Sequence, residues 1–410
     1  ATGMGIRLDG GTAYSGAVIT RYYDSLLEKV TAWAPTPEAA IARMDRALRE
    51  FRIRGVSTNI AFVENLLKHP TFLNYEYTTS FIDTTADLFK FSKRRDRATK
   101  ILTYIADITV NGHPETQDRA RPAGDIKPPK APVALGDRAE GTKDILTARG
   151  PKGLADWMKA QDRLLLTDTT MRDGHQSLLA TRMRSHDMVK IAPAYAAGLP
   201  GLFSVECWGG ATFDVAYRFL QECPWQRLRD LRAAMPNVMT QMLLRASNGV
   251  GYTNYPDNVV QFFVRQAAKT GVYVFRVFDS LNWVENMRVA MDAVIEADRV
   301  CEGTICYTGD ILNPDRAKYD LKYYVSMAKE LEAAGAHVLG LKDMAGLLKP
   351  AAAKALIGAL KQEVGLPIHF HTHDTSGISG ATVLAAADAG VDAVDTAMDA
   401  FAGGTSQPAL

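Results

Sequence analysis

Three histidines at alternate positions near the end of the chain are the first residues that could do chemistry. Residues 368–374 read IHFHTHD, and the whole chain holds only 8 histidines. Alternate side chains of a β-strand point to one face, so His369, His371 and His373 are predicted to share a face. Two neutral imidazoles at this spacing can bind one metal ion. A row of half-buried, hydrogen-bonded histidines would explain the same pattern, so other residues must decide.

Charged residues also follow several apolar runs elsewhere in the chain. Arg172 and Asp173 come after LLLTDTT, Arg245 ends VMTQMLLR, and Lys342 lies in HVLGLKDMAG. Each one alone could be a local ion pair, a turn residue or a surface charge. If they converge with the histidines, their burial would cost several kcal/mol unless they are paired or bind an ion. Asp173, Lys342, His371 and His373 together would suit a divalent transition ion.

Lys342 is predicted to face the same cavity as the histidines. Alternation along LGLKDM separates its side chain from those of Leu341 and Asp343. A buried ammonium beside a metal ion is untenable, because repulsion would add to desolvation. A neutral amine, a Schiff base and a carbamate formed with CO2 would each remove that conflict. The spacing of the residues leaves these three states open.

The elements that must position these residues alternate between strands and helices. Eight short apolar runs, beginning at residue 164 and ending near 404, are separated by amphipathic stretches such as NVVQFFVRQAAKTG. This order predicts parallel strands with helical crossovers, and eight units match a (β/α)8 TIM barrel over residues 161–410. A doubly wound open sheet is the alternative, but no G-x-G-x-x-G follows the first strand. In such a barrel, functional residues lie at the carboxyl ends of the strands.

Residues 1–85 are predicted to form a separate α+β region. Residues 15–34 alternate like paired strands. Thr36 can cap a helix that has Pro37 in its first turn and runs to Gly55.

Residues 86–160 are predicted to be a helix followed by a Pro-rich linker. A basic run, Lys93 to Arg97, precedes a long helical stretch. Residues 112–137 contain Pro114, Pro122, Pro128, Pro129 and Pro132 and few large apolar residues, which is typical of a linker. A short helix is predicted at residues 150–161.

The bulk composition excludes several classes of protein. Lys and Arg number 47 against 46 Asp and Glu, so the net charge of +1 argues against a general nucleic-acid or acidic-membrane binder. No run of apolar residues is long enough to predict a membrane span. The 4 cysteines form no C-x-x-C pair and are predicted to be free thiols in a reducing compartment, the cytosol or the mitochondrial matrix.

The motifs TDTTMRDGHQSLLATRMR, GLKDMAGLL and HFHTHDTSG resemble the carboxyltransferase barrel of the biotin-dependent carboxylases. The resemblance implies that Asp173, a carboxylated Lys342, His371 and His373 bind Zn²⁺ or Mn²⁺. The segment from Tyr22 to Phe72 resembles the C-terminal part of a biotin carboxylase domain. The two segments in this order resemble the single-chain members that carboxylate pyruvate.

This resemblance also implies a reaction and roles for individual residues. CO2 would move from carboxybiotin to pyruvate and give oxaloacetate. Arg245 would bind the carboxylate of pyruvate, while Gln176 and Arg172 would donate to its keto oxygen or enolate. Asp214 and Tyr252 match positions that help to form the biotin pocket. His369 lies deeper in the barrel and is interpreted as structural.

Several parts of such an enzyme are expected to lie outside these residues. They are the ATP- and Mg-binding part, the biotinylated carrier domain and the threonine that transfers a proton. Acetyl-CoA is a possible activator, for which Arg52, Arg54 and Arg97 are candidate phosphate contacts, although such basic residues most often form only a solvated helix face. A homotetramer is the expected assembly.

Four alternatives remain open from the sequence. Transcarboxylase and oxaloacetate decarboxylase subunits share the barrel without a preceding carboxylase domain. Claisen-type lyases or synthases also combine an Arg-Asp-Gly motif with H-x-H, but they place glutamate where His175 stands and lack the lysine ligand. A Schiff-base aldolase could use Lys342. A fragment that only docks other subunits is the alternative without enzymatic activity.

Overall fold

A computed structural model describes residues 1–11, 13–19, 26–91, 97–112, 130, 139–315 and 317–410. The chain divides into two units, Ala1–Thr20 with Leu27–Pro129 and Arg21–Leu26 with Lys130–Leu410. None of the described helices combines the length and the apolar character that crossing a bilayer requires. Most of the predicted Pro-rich linker, and residues 93–96 of the basic run, lie outside the described residues.

The smaller unit joins a two-stranded antiparallel sheet to short helices. Its elements are β1 (Ile6–Gly10), β2 (Glu28–Ala32), α1 (Pro37–Glu50), α2 (Ile60–Lys68), α3 (Pro70–Leu73), α4 (Phe81–Thr84) and α5 (Arg97–Asn111). The cap prediction for α1 is confirmed, because Thr36 Oγ1 accepts a hydrogen bond from the Ala39 amide at 3.3 Å. The helix ends at Glu50, short of Gly55, because the backbone becomes extended at Phe51.

The prediction of paired strands within residues 15–34 is wrong in part. β2 lies in this stretch, but its partner is β1, which comes before it. Residues 15 and 16 form a turn, with Gly16 at φ 92°, and residues 20–25 are outside the described range. Alternation indicates which side chains share a face, but it does not identify the partner strand.

The larger unit begins with α6 (Thr142–Lys159), which starts earlier than predicted. Gly150, at φ 68°, kinks this helix just before Pro151. Leu146, Leu154 and Met158 pack against the first residues of the barrel strands in a separate apolar cluster. The helix therefore closes the amino-terminal end of the barrel.

Eight parallel strands then close into a barrel in chain order, which confirms the predicted fold class. The strands are β3 (Leu165–Asp168), β4 (Ser204–Trp208), β5 (Thr240–Leu244), β6 (Val274–Phe278), β7 (Val300–Cys306), β8 (Val338–Asp343), β9 (Ile368–Thr372) and β10 (Ala393–Thr396). The helices are α7 (His175–Leu179), α8 (Ser185–Gly198), α9 (Gly210–Val215), α10 (Pro224–Ala234), α11 (Asp257–Thr270), α12 (Val284–Glu296), α13 (Leu321–Ala333), α14 (Pro350–Glu363) and α15 (Ser379–Asp388).

The two faces of the barrel strands differ in chemistry. Outward residues such as Val277, Ile305 and Phe370 pack with the surrounding helices in one large apolar cluster. Inward residues in the middle layers are polar or charged and fully buried, among them Arg276 and Glu302. Parallel pairing sets Lys342 of β8 opposite His371 of β9. The barrel interior therefore holds most of the charge that must be paired within the protein.

Gly340 of β8 provides the space that one of these buried charges occupies. A Cβ atom there would collide with Thr304 Oγ1 and lie 2.8 Å from Glu302 Oε1. We expect Gly340→Ala to lower the free energy of unfolding by about 1–3 kcal/mol, because the added methyl group overfills the interior. Urea unfolding followed by circular dichroism would measure the change.

Gly358→Ala in α14 is the matched control, because no atom lies within 4 Å of its added Cβ. It should leave stability unchanged or raise it by up to about 1 kcal/mol. Equal unfolding free energies for the two variants would contradict the assigned role of Gly340.

Candidate active site

The residues predicted to bind a metal lie at the carboxyl ends of three barrel strands. Asp173 is in a buried π-helical turn, Thr170–Gly174, directly after β3. Lys342 is near the end of β8, His371 is in β9, and His373 follows that strand. Each of the four is at most 9% exposed. The fold thus brings together residues that are as much as 200 positions apart in the chain.

Their polar atoms meet in one small volume. His371 Nε2 and His373 Nε2 are 3.0 Å apart. Asp173 Oδ2 lies 3.4 Å from His371 Nε2 and 3.3 Å from His373 Nε2. Lys342 Nζ lies 3.4 Å from His371 Nε2. We call Asp173, Lys342, His371 and His373 the four-residue cluster.

Hydrogen bonds at the other ring nitrogens decide which histidine atoms face the cluster. His371 Nδ1 donates to Asp395 Oδ2 at 2.6 Å, and His373 Nδ1 donates to the carbonyl oxygen of Thr405 at 2.7 Å. A neutral imidazole carries one proton, so a neutral ring protonated at Nδ1 presents a lone pair at Nε2. Burial and the neighbouring Lys342 hold the pKa of His371 well below its usual range, which keeps it neutral.

The donor set fits a divalent transition ion. Two Nε2 lone pairs that face each other would repel unless a cation lay between them. The ligand atoms of Asp173, His371 and His373 lie within 4.8 Å of one another. Imidazole and carboxylate are ligands that such ions accept, and the tautomer of each ring is set by its second hydrogen bond.

Lys342 points into this cavity, and its neighbour Asp343 points away from it. Asp343 accepts hydrogen bonds from the Leu347 and Leu348 amides, each at 2.9 Å, and from Thr372. These contacts occupy the Asp343 carboxylate without Lys342. Burial lowers the pKa of the Lys342 ammonium, and Arg172 lowers it further, although Asp173 opposes them. The lysine is thus shifted toward the neutral amine.

Arg172 joins the cluster to a second buried carboxylate. Its Nη2 lies 2.7 Å from Glu206 Oε2, and its Nη1 lies 3.0 Å from Asp173 Oδ1. Burial alone would raise the pKa of Asp173, but Arg172 and His373 hold it well below the usual range. Arg172 Nη1 also lies 3.4 Å from Gln176 Oε1. The predicted pair Arg172 and Gln176 therefore lies beside the cluster.

Residues after β10 close over the cluster, and the sequence analysis did not identify them. Gln407 is fully buried; its Nε2 donates to Asp173 Oδ2 at 2.8 Å, and its Oε1 accepts from Thr169 at 2.7 Å. The Ser406 carbonyl accepts from the Asp374 amide at 2.7 Å. Their sequence, GGTSQPAL, carries no charge and no spacing that would have indicated this position.

A second group lies beneath the cluster, and of its four residues only His369 was indicated by the sequence. We call Arg276, Glu302, His369 and Asp395 the ionic layer, and all four are fully buried. Arg276 contacts both carboxylates. His369 Nδ1 lies 2.9 Å from Glu302 and its Nε2 lies 2.7 Å from Asp395. A single charge within an apolar strand, as in VFRVF or AVDT, was the available signal.

The charges of the ionic layer balance. Burial opposes protonation of His369, but Glu302 and Asp395 raise its pKa to about 9. Arg276 and His369 hold the pKa of Asp395 well below its usual range, despite burial. Two cations therefore face two anions. The interpretation of His369 as structural remains a prediction. Its contacts with two buried carboxylates agree with such a role.

Arg245 lies on the open side of the site and is only half-buried. Its Nη1 donates to the Gly251 carbonyl at 3.2 Å, and its guanidinium carbon lies 5.2 Å from the centre of the Tyr252 ring. A Cβ at Gly209 would lie 3.3 Å from Arg172 Cδ, and one at Gly210 would lie 3.0 Å from Arg245 Cζ. The two arginines therefore flank the same glycine pair after β4.

The residues predicted for the biotin pocket contact each other at the exposed rim. Tyr252 is 68% exposed, and its hydroxyl lies 3.2 Å from Asp214 Oδ2. Arg218 forms an ion pair with the same carboxylate at 3.2 Å. Cation–π contact between Arg245 and Tyr252 connects this rim to the arginine beside Gly210.

His175 is buried and contacts the backbone of the π-helical turn that carries Asp173. Its Nε2 lies 3.0 Å from the Met171 carbonyl, and burial lowers its pKa to about 3. The residue is fully buried and stays neutral at ordinary pH.

The candidate effector residues belong to the smaller unit. Arg52 and Arg54 follow α1 and line a cavity of about 630 Å³ together with Tyr14 and Glu28. Arg97 is the first residue of α5. Their role as phosphate contacts remains a prediction.

The cysteine prediction can also be assessed in this structure. All 4 cysteines are free, and Cys223 alone among them is exposed. None of them lies in the four-residue cluster.

Comparison with known proteins adds two family matches. Residues 1–84 match the biotin carboxylase C-terminal domain, and residues 257–404 match the HMGL-like family. The second range covers the five barrel strands from β6 to β10.

Longer matches cover nearly the whole chain. It is 60% identical over 99% of its length to a pyruvate carboxylase of Bacillus subtilis, of which it covers 35%. A Rhizobium etli pyruvate carboxylase variant, whose structure contains the allosteric activator acetyl coenzyme A, is 66% identical with a TM-score of 0.69; the match covers 100% of this chain and 41% of that one. The R. etli carboxyl transferase domain with pyruvate is 65% identical, also at a TM-score of 0.69, and covers 77% of this chain and 54% of that one.

These matches confirm the predicted resemblance to the biotin-dependent carboxylases. The chain spans about a third of the length of the curated relatives that it matches, 35% for the B. subtilis protein. Along its whole length, the chain is homologous to a segment of the pyruvate carboxylases that extends from the biotin carboxylase C-terminal domain into the carboxyl transferase barrel.

Proposed function

We propose that this chain carries the carboxyltransferase centre of a pyruvate carboxylase, which moves CO2 from carboxybiotin to pyruvate and forms oxaloacetate. The convergence of Asp173, Lys342, His371 and His373 beside Arg172 supports it most directly. The structure of a carboxyl transferase domain that is 65% identical contains pyruvate, which supports the same substrate here. ATP- and Mg-dependent carboxylation of biotin would belong to other parts of the longer enzyme.

The alternative functions fit the chain less well. Transcarboxylase and oxaloacetate decarboxylase subunits lack the preceding carboxylase domain, whereas residues 1–84 match the C-terminal part of one. The HMGL-like match alone would allow a Claisen-type lyase, but the similarity to pyruvate carboxylases extends over 99% of the chain. A Schiff-base aldolase would give no role to the donor set of Asp173, His371 and His373, against which Lys342 lies.

In the proposed centre, Asp173, His371, His373 and Lys342 would hold a divalent ion, Zn²⁺ or Mn²⁺. When bound, such an ion supplies positive charge and Lewis acidity beside the substrate. Lys342 would contribute as a carbamate, because its lowered pKa favours a neutral amine that can react with CO2. The carbamate replaces a cation with an anionic oxygen ligand, which removes the repulsion between an ammonium and the ion.

The substrate would lie between Arg245 and the pair Arg172 and Gln176. Arg245 would bind the carboxylate of pyruvate through its planar guanidinium. Negative charge develops on the keto oxygen when the methyl group loses a proton, and Arg172 Nη1 and the Gln176 amide can donate to it. A carbon–carbon bond then forms between the methyl carbon and the transferred carboxyl group. The carbon–nitrogen bond of carboxybiotin breaks, and the biotin nitrogen ends with the proton that the methyl carbon lost.

Other partners of the longer enzyme are part of the same proposal. Asp214 and Tyr252 would contact biotin delivered by a carrier domain, and their exposure at the rim suits a group that arrives and leaves. Acetyl-CoA would activate the enzyme through Arg52, Arg54 and Arg97; the structure of a 66% identical relative with this activator supports an effector of that kind. A homotetramer remains the expected assembly, in the cytoplasm of a bacterium or in the mitochondrial matrix.

We expect the purified chain to retain one tightly bound divalent ion, which elemental analysis of dialysed protein would identify. His371→Ala should lose most of it, because the variant removes one ligand and breaks the bond to Asp395. His186→Ala is the control, since that histidine is exposed on α8 and should leave the metal content unchanged. Folded wild-type protein without a stoichiometric metal would contradict the proposed centre.

We expect Lys342 to carry a carboxyl group in the metal-bound protein. Protein equilibrated with ¹³C-bicarbonate should show a carbamate carbon signal in NMR, and Lys342→Glu should abolish that signal. Lys342→Glu should still keep part of the metal, because it offers an anionic oxygen on a shorter side chain, whereas Lys342→Ala should lose it. A metal-loaded wild type with no carbamate signal would exclude this modification.

We expect Arg245→Lys to weaken pyruvate binding by about tenfold or more, because a lysine keeps the charge but loses the bidentate geometry. Saturation-transfer NMR with pyruvate on the metal-loaded protein would measure the change. Arg265→Lys on the exposed face of α11 is the matched control and should bind pyruvate like the wild type. If the two variants bind equally, Arg245 does not hold the substrate carboxylate.

A further inference from the structure

The ionic layer contains two carboxylates that are nearly equivalent. Glu302 and Asp395 are both fully buried, both accept hydrogen bonds from Arg276, and both accept one from His369. They lie on β7 and β10, on opposite sides of β8 and β9 in the barrel. Removing the negative charge of either carboxylate would leave Arg276 and His369 with one compensating negative charge fewer.

Only one of these two carboxylates contacts a residue of the four-residue cluster among the described contacts. Asp395 Oδ2 accepts the Nδ1–H of His371 at 2.6 Å. Arg276 grips Asp395 with both terminal nitrogens, at 3.2 Å from Nη2 to Oδ1 and with a shorter contact from Nη1 to Oδ2. The carboxylate that faces His371 is therefore held in a bidentate fork, which fixes its plane.

His371 needs such a partner because the strand backbone fixes neither the orientation of its ring nor its tautomer. The terminal torsion of a histidine is broad and roughly two-fold, so the ring can present either edge. A neutral imidazole also has two tautomers. Only the tautomer protonated at Nδ1, in the observed orientation, directs the Nε2 lone pair toward His373 and Asp173.

We propose that Asp395 is a positioning residue of the active site, which fixes the tautomer and ring orientation of His371 while Arg276 fixes Asp395. This inference rests on the proposed function, because the purpose of that orientation is to hold the metal ion. Asp395 itself contacts neither the substrate nor the ion. Arg276 grips Asp395, and its Nη1 also lies 3.4 Å from His371 Nδ1.

The matched pair Asp395→Asn and Glu302→Gln separates this role from general stability. Each variant removes one negative charge from the ionic layer and keeps the size of the side chain. Release of the bound metal to a chelator would be timed for each variant and the wild type, under conditions where circular dichroism shows folded protein. The visible spectrum of Co²⁺-substituted protein would report the ligand geometry of the site.

Asp395→Asn should release the metal about 10- to 100-fold faster than the wild type and change the Co²⁺ spectrum, as expected when the partner of a metal-bound histidine is lost. Glu302→Gln should release it within about threefold of the wild-type rate, because His371 keeps its partner. Equal release by the two variants, or a wild-type rate for Asp395→Asn, would overturn the inference.

A measurement without mutation covers the case in which Asp395→Asn does not fold. Long-range ¹H–¹⁵N spectra of the metal-free wild type with labelled histidine should show His371 protonated at Nδ1 over the neutral pH range. A proton on Nε2, or a mixture of tautomers, would overturn the positioning role. Wild-type protein that holds no metal would instead refute the proposed metal centre, and this spectrum would still decide the role of Asp395.

Discussion

Compensation of charge inside the barrel is the constraint on which the rest of the structure depends. Arg276 has no access to solvent, and a guanidinium in that position is tolerated only with anionic partners at hydrogen-bond distance. Glu302 and Asp395 provide them, and a doubly hydrogen-bonded His369 restores the balance. Once these four residues are in place, the positions of the polar groups above them are largely determined.

The chemistry at the carboxyl end of the barrel follows from that balanced layer. Arg276 holds Asp395, and Asp395 in turn orients His371. The neutral imidazole then directs its Nε2 lone pair toward the other residues of the four-residue cluster. Arg172 is held by Glu206 and keeps Asp173 ionised close to both histidines. Burial among fixed cations shifts Lys342 toward the neutral amine, because a further ammonium there would be repelled as well as desolvated.

The two sides of the site differ in burial and in the number of their contacts. The four-residue cluster and the ionic layer are buried among strand ends and the turn after β3, and Gln407 donates to Asp173 from above them. Asp214 in α9 and Arg245 and Tyr252 after β5 are partly or largely exposed, and they contact one another through a ring and single hydrogen bonds. This division suits a centre with a fixed ion and an exchangeable substrate.

The sequence by itself determined the eight-strand barrel, because each strand and helix carries its own periodicity and parallel strands need helical crossovers. It also indicated Asp173, Lys342, His371 and His373, since charged residues at the ends of apolar runs are unusual enough to notice. Tertiary structure alone decided the partners: Asp395 for His371, Gln407 for Asp173, and β1 as the partner of β2. These depend on barrel closure and on contacts between residues far apart in the chain, and local periodicity carries no information about which distant groups will meet.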